Sequence, residues 1–308
     1  MKGLEISRAF WAEHGKPMME ERFPELLDLT AVGLVGPGSE CFGYDDEISR
    51  DHDFEHGFCI YLPDEERVSR RQEFLLGRAY ESLPKEFMGL RRSLFNPAGV
   101  NRRGVFRTED IYRQLTGFPG KPEDWRAYLS VPDCAMAEVT NGEVFFDGLG
   151  EFSAIREAWR NPPEDVQRKK LCGYLIRMSQ TGEYNHPRCL ERGDEASAFL
   201  TAAEFVKAAA AAFGWVYNRP SPYYKWCLRF VQDLPKGEMY AGYLKNALCP
   251  DGSTCITEAR ILLTTVLQEQ GLVPEGTEDL QKAAFIINDG IRDGVLRSLS
   301  PLAAVRLE

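Results

Sequence analysis

Apolar residues change their spacing about halfway along the chain. Up to about residue 147, compact apolar runs alternate with polar loops; beyond Gly150 apolar positions recur every three to four residues. Recurrence at three to four marks one face of an α-helix, whereas compact runs bounded by turn residues mark buried strands. Leu4, Phe10 and Trp11, then Phe23, Leu26 and Leu27, predict a helix pair over 3–29, broken near Gly15-Lys16-Pro17. Two strands are expected at Ala31 to Val35 and Phe58 to Leu62, and a helix opening at Pro63-Asp64 and running to about Tyr80. Residues 84–120 show no clear period, and 134–147, CAMAEVTNGEVFFD, read as a hairpin about Asn141-Gly142. Helices then follow over 151–159, 163–178, 201–213, 220–234, 237–248, 254–270 and 276–290, separated by turns such as Asn218-Arg219-Pro220 and Pro250-Asp251-Gly252. The expected class is α+β: an α/β domain over 1–150 and an all-helical domain over 151–308.

The polar segment between the first two strands holds the candidate chemistry. It runs GPGSECFGYDDEISRDHDFEHG, from Gly36 to Gly57. In extended chain, residues i and i+2 share a face, so Asp51 and Asp53 present two carboxylates side by side. Such a pair is costly to keep ionised without a cation between its members. Hard oxygen ligands suit Mg²⁺, which completes its shell with water and substrate phosphates. The glycines before Ser39 let backbone N–H groups approach an anion, so Gly38 and Ser39 form a candidate phosphate cradle.

A Gly-Ser turn, a loop and a DxD pair at a strand mouth resemble the nucleotidyltransferase superfamily of the DNA polymerase β type. The longer string GLVGPGSECFGYDDEISRDHDF resembles a bacterial branch of it labelled DUF4037. The resemblance implies a small mixed nucleotidyltransferase sheet with flanking helices, and a helical domain closing over the site. It implies transfer of a nucleoside monophosphate from an NTP, taken here as ATP, to a hydroxyl, with release of pyrophosphate. Gly38 and Ser39 would hold phosphate, and Asp51 and Asp53, with a third acid, would hold two Mg²⁺ ions. Glu138 is the third acid the resemblance favours, with Asp147 next; strand alternation alone leaves Glu138, Glu143 and Asp147 open. Lys225, set among Tyr223, Tyr224 and Trp226, resembles the residue that the helical domain offers to the triphosphate, and Arg188 and Arg192 are candidates for the same cleft. Ser49-Arg50 stands where the family carries Ser or Thr near an Asp.

Composition narrows the partners. Net charge is −10, which argues against broad nucleic-acid binding and for a small or cationic acceptor; the family resemblance implies a small-molecule or protein acceptor. The arginines at 91, 92, 102, 103 and 107 are the local exception, either a site for triphosphate or a solvated excursion. Eight cysteines without a CxxC pair, with only four histidines, argue against zinc and for reduced thiols in a cytoplasmic protein. No signal peptide and no continuous apolar run of membrane-spanning length is expected. Two other readings compete: a nucleotide-binding or partner-binding module without turnover, and a glycosyltransferase of the DxD kind.

Overall fold

The computed structural model describes residues 1–50, 54–92, 102–249 and 251–305, the side chain of Arg50 excepted. The class is mixed α+β, with a small sheet and many helices. Contacts divide the chain into two compact units, the first formed by Met1–Pro122 with Glu138–Arg160, the second by Glu123–Ala137 with Asn161–Glu308.

Unit 1 is built on six strands: β1 Ala31–Leu34, β2 Cys59–Leu62, β3 Glu86–Phe87, β4 Leu90–Arg91, β5 Gly104–Arg107 and β6 Glu143–Asp147. Four of them form one sheet in the order β5-β2-β1-β6, and β3-β4 form a separate ribbon. β1 lies antiparallel to both β2 and β6, while β2 and β5 run parallel. All residues of β1 and β2 are buried, the pattern of a sheet covered on both faces, which is why the sequence shows unbroken apolar runs there. Ile60 and Leu62 enter a core with Phe10, Trp11, Met19, Leu26, Leu76 and Tyr80 from the N-terminal helices and the helix Arg70–Glu81. On the other face Tyr61 stacks on Phe152, centroids 4.1 Å apart.

Three expectations need correction here. The N-terminal helix does not break at Gly15-Lys16-Pro17. A π-turn at Trp11–Gly15 carries it on through Lys16–Arg22, and the break falls at Phe23. Gly15 is needed because a methyl group there would stand 2.3 Å from Phe58, so the wide turn seats bare backbone on that ring. The helix expected from Pro63 begins only at Arg70, where Ser69 and Gln72 form a capping box. Cys134 to Asp147 is not a hairpin: Asp133–Thr140 is helical and only Glu143–Asp147 is strand. Pro132-Asp133 supplies a helix start, and Ala135, Met136, Ala137 and Glu138 are strong helix formers. Glu138, expected on a strand, therefore lies on this helix and is half-buried.

Unit 2 is helical. Its longest helix, Glu195–Val216, packs against Glu164–Met178. It alone among the described residues is long and apolar enough to cross a membrane, and 67% of its most apolar window is buried within the protein. No disulfide joins the described cysteines; Cys41, Cys59, Cys172 and Cys227 are buried thiols.

Candidate functional site: a braced glycine turn beside a buried ion pair

β1 delivers the chain to the turn Gly36-Pro37-Gly38-Ser39. Gly36 has φ 106° and Gly38 φ 140°, conformations that a side chain would oppose. The turn is pinned from outside by Asn141. Gly36 N–H donates to Asn141 Oδ1 at 2.9 Å, and Asn141 Nδ2 donates back to Gly36 O at 2.8 Å. Gly142 N–H donates to Cys41 O at 2.7 Å, and a methyl group at Gly142 would stand 2.0 Å from Leu34 O. Asn141-Gly142 thus acts as a clip on the glycine turn.

Because β1 and β2 are antiparallel, the end of β1 and the approach to β2 occupy one edge of the sheet. The loop between them is anchored along its described length. Gly3 N–H donates to buried Asp45 Oδ2 at 3.0 Å, and Lys2 also bonds Asp45. Asp46 Oδ1 accepts from both the N–H and the hydroxyl of Ser49, and Phe54 is buried where a methyl group on Gly3 would stand 3.1 Å from its ring. Asp51 and Asp53 fall outside the described residues. Among the described residues no group of three His, Cys, Asp or Glu is placed to hold a metal.

The register of β6 separates two candidates for the third acid. Glu143 pairs with Leu34, beside the turn, and its carboxylate is bound by Arg8. Asp147 pairs with Ala31 at the far end of β1, about 10 Å away at roughly 3.3 Å per residue. Its carboxylate accepts Gly150 N–H at 2.9 Å and Ser153 N–H at 2.8 Å, capping the helix Glu151–Arg160. A cavity of about 390 Å³ opens at this far end, bordered by Tyr61, Arg67, Asp147 and Glu151.

Glu40, the residue after Ser39, is buried and pairs with Arg103 at 3.0 Å. Beside them the Cys41 thiol is pushed well above its ordinary value, mainly by burial; the Glu40 charge adds to the shift and Arg103 opposes it. Two other arginines of the basic stretch are structural. Arg92 donates to the carbonyls of Tyr80, Glu81 and Leu83, and Arg107 binds Pro63 O and Glu73. Arg91 and Arg102 are exposed.

In unit 2, Lys225 is exposed on the helix Tyr224–Gln232, its Nζ 5.0 Å above the Trp226 ring. Tyr223 and Tyr224 are exposed as well. Arg188 lies on a different helix, His186–Glu191, stacked 3.9 Å over Tyr184, and Arg192 is the exposed residue that ends it. Each thus interacts within its own helix or the adjoining turn. Sequence reasoning missed a buried network in this unit: Asp133 accepts from Lys170 Nζ at 2.9 Å, Tyr174 OH at 2.8 Å and Trp215 Nε1 at 2.6 Å. Asp133 also borders a cavity of about 70 Å³ with Arg177, Glu204 and Lys207. No signal was available in the sequence, because Lys169-Lys170 continues the polar run Glu164-Asp165-Val166-Gln167-Arg168, which reads as an exposed helix face.

Residues 128–227 match the model of the family DUF4037, a domain of unknown function. The match covers the helix Asp133–Thr140, β6 and the segment to Cys227; the glycine turn and the DxD pair, which carried the resemblance, precede it. A nucleotidyltransferase-like protein from Exiguobacterium sibiricum, known from a crystal structure, is similar at 10% identity and a TM-score of 0.39, over 89% of this chain and 80% of that one. No curated protein matches the chain.

Proposed function

We propose that the chain is a nucleotidyltransferase that moves a nucleoside monophosphate from ATP to a hydroxyl of a small molecule or protein. The observation that carries this reading is the turn at Gly36–Ser39, held by both amide bonds of Asn141 at the sheet edge where the DxD loop returns. A turn with two glycines at positive φ, fixed by an outside side chain, is pre-organised to receive an anion rather than shaped on binding. Carboxylates at Asp51 and Asp53 are donors of the kind Mg²⁺ takes, and the metal would supply charge neutralisation at the phosphates. Gly38 and Ser39 hold phosphate, and the rigid clip keeps it in register with the acceptor hydroxyl. Lys225, Arg188 and Arg192 remain candidates for steadying the triphosphate from the helical part.

The decisive experiment measures pyrophosphate release from ATP with Mg²⁺ over a panel of hydroxylated acceptors, including the protein itself. Asp51→Asn and Asp53→Asn should abolish release while leaving the thermal transition in place; full activity in both variants refutes the reading. Binding without turnover is the second reading, favoured by one observation: Asp147 and Glu143, two of the three candidate acids, are already engaged by a helix cap and by Arg8. ATP binding without release over the whole panel would establish it.

A further inference from the structure

The Glu40 carboxylate lies over the glycine turn. A methyl group on Gly38 would stand 2.6 Å from Oε2 and 2.8 Å from Oε1. The same carboxylate accepts from Arg103 Nη2 at 3.0 Å, and the two side chains are only 6% and 7% exposed. Space for this pair is cleared by glycines from three stretches of chain. A methyl group on Gly3 would meet Glu40 Cβ at 2.6 Å, and one on Gly57, at φ 142°, would meet Arg103 Cδ at 2.6 Å. Nothing so specific is needed for a solvated ion pair.

A buried ion pair offsets its desolvation only when the remaining donors are also satisfied. Here they are not: Arg103 Nε is buried and has no hydrogen-bond partner among the described residues. A guanidinium offers a planar fork suited to two oxygens of a phosphate, and phosphate brings more charge and more acceptors than one carboxylate. The neighbouring turn presents backbone to the same point.

We propose that Arg103 binds the phosphate delivered to the glycine turn, and that Glu40 is the resident anion that holds Arg103 until phosphate displaces it. The proposal rests on the phosphate-binding reading of the turn. It makes Arg103 a specificity residue for polyphosphate and makes Glu40 its competitor.

The test titrates inorganic tripolyphosphate and ATP calorimetrically into the full chain, in EDTA so that no divalent ion contributes. Glu40→Gln should tighten both ligands by about threefold or more, because the competing charge is gone. Arg103→Gln should weaken both by about tenfold or more, the share of a charge-assisted contact. Arg103→Gln leaves Glu40 buried and unpaired, a loss large enough by itself to prevent folding. The double variant E40Q/R103Q removes both charges, and thermal unfolding is recorded beside each titration. A folded double variant that binds tripolyphosphate as the wild type does overturns the proposal while leaving the nucleotide reading standing if ATP still turns over. Weakened binding with no change in Glu40→Gln overturns the competition. Tripolyphosphate bound through Arg103, with no pyrophosphate release from ATP, supports the proposal and sinks the transferase reading. Wild type that binds neither ligand overturns this proposal and leaves the transferase reading, which needs Mg²⁺, to the pyrophosphate assay.

Discussion

The two units each bury an ion pair, and the pairs are built differently. In unit 2, Asp133 takes three donors, and Lys170 adds a bond to Val131 O at 3.3 Å, with its Nζ 5.8 Å from the Trp215 ring. In unit 1, Glu40 and Arg103 share one contact, and a guanidinium nitrogen is left without a partner among the described residues. Saturated polar networks fix a core in one arrangement, whereas a pair with spare donors has capacity for another ligand. The first belongs to architecture; the second is the pair we propose to exchange its anion.

The largest effect is expected where saturation is complete. Asp133→Ala strands Lys170, Tyr174 and Trp215 without their acceptor and should cost about 3–5 kcal/mol by urea denaturation. A loss under about 1 kcal/mol would erase the contrast between the pairs. Removing both charges sharpens it: E40Q/R103Q should stay within about 1 kcal/mol of wild type, while Asp133→Leu with Lys170→Met should lose more, because Tyr174 and Trp215 then have no acceptor. Equal losses in the two double variants would show that the pairs are alike.

Asn141→Ala tests the clip that the exchange site depends on. It frees a donor and an acceptor of Gly36 and should cost about 1–3 kcal/mol. Amide exchange over Gly36 to Ser39 should accelerate, and tripolyphosphate affinity should fall. Unchanged exchange there would mean the turn holds itself.

The smallest effect is a pH dependence. His56 is buried against Phe10 and Phe87, with Nε2 3.2 Å from Pro84 O. Its pKa lies below the ordinary 6.5, chiefly from burial, opposed by the Pro84 carbonyl and reinforced by Arg92 and Arg103. The neutral ring is the native form, so its contribution is complete above the ordinary pKa and is lost as pH falls through it. His186, lowered by burial, acts in the same direction. The urea midpoint of wild type should fall between about pH 7.5 and about pH 5.5, and His56→Leu should flatten that limb in part. An unaltered slope would remove His56 from the linkage.

Legibility followed the range of the interaction. β1, β2 and most helices of the second half were readable because burial on both sheet faces and one-sided helix burial each leave a local period. The turn at Gly36–Ser39 was readable from its glycines. Asn141-Gly142 misled, since an Asn-Gly step favours a tight turn whatever follows, and its partners are distant in sequence, Gly36 lying 105 residues from Asn141 and Cys41 bonding Gly142. β5 went unseen because its pairing is parallel to β2 and its residues are only partly buried apart from Arg107. Glu40 and Arg103, 63 residues apart, carry no periodic signal that would couple them. The Asp51-Asp53 pair remains a sequence inference.

The first unit is discontinuous: Glu123–Ala137 belongs with the second, yet β6 and Asn141 come after it. No single cut can therefore separate the two. A fragment ending at Pro122 would lack an edge strand and the Asn141 clip on the glycine turn, whereas one ending at Arg160 would carry Asp133 stripped of Lys170. During synthesis, the ribosome must release residues up to 147 before the sheet is complete, so Gly36 waits for its Asn141 brace until Glu123–Ala137 of the second unit has emerged.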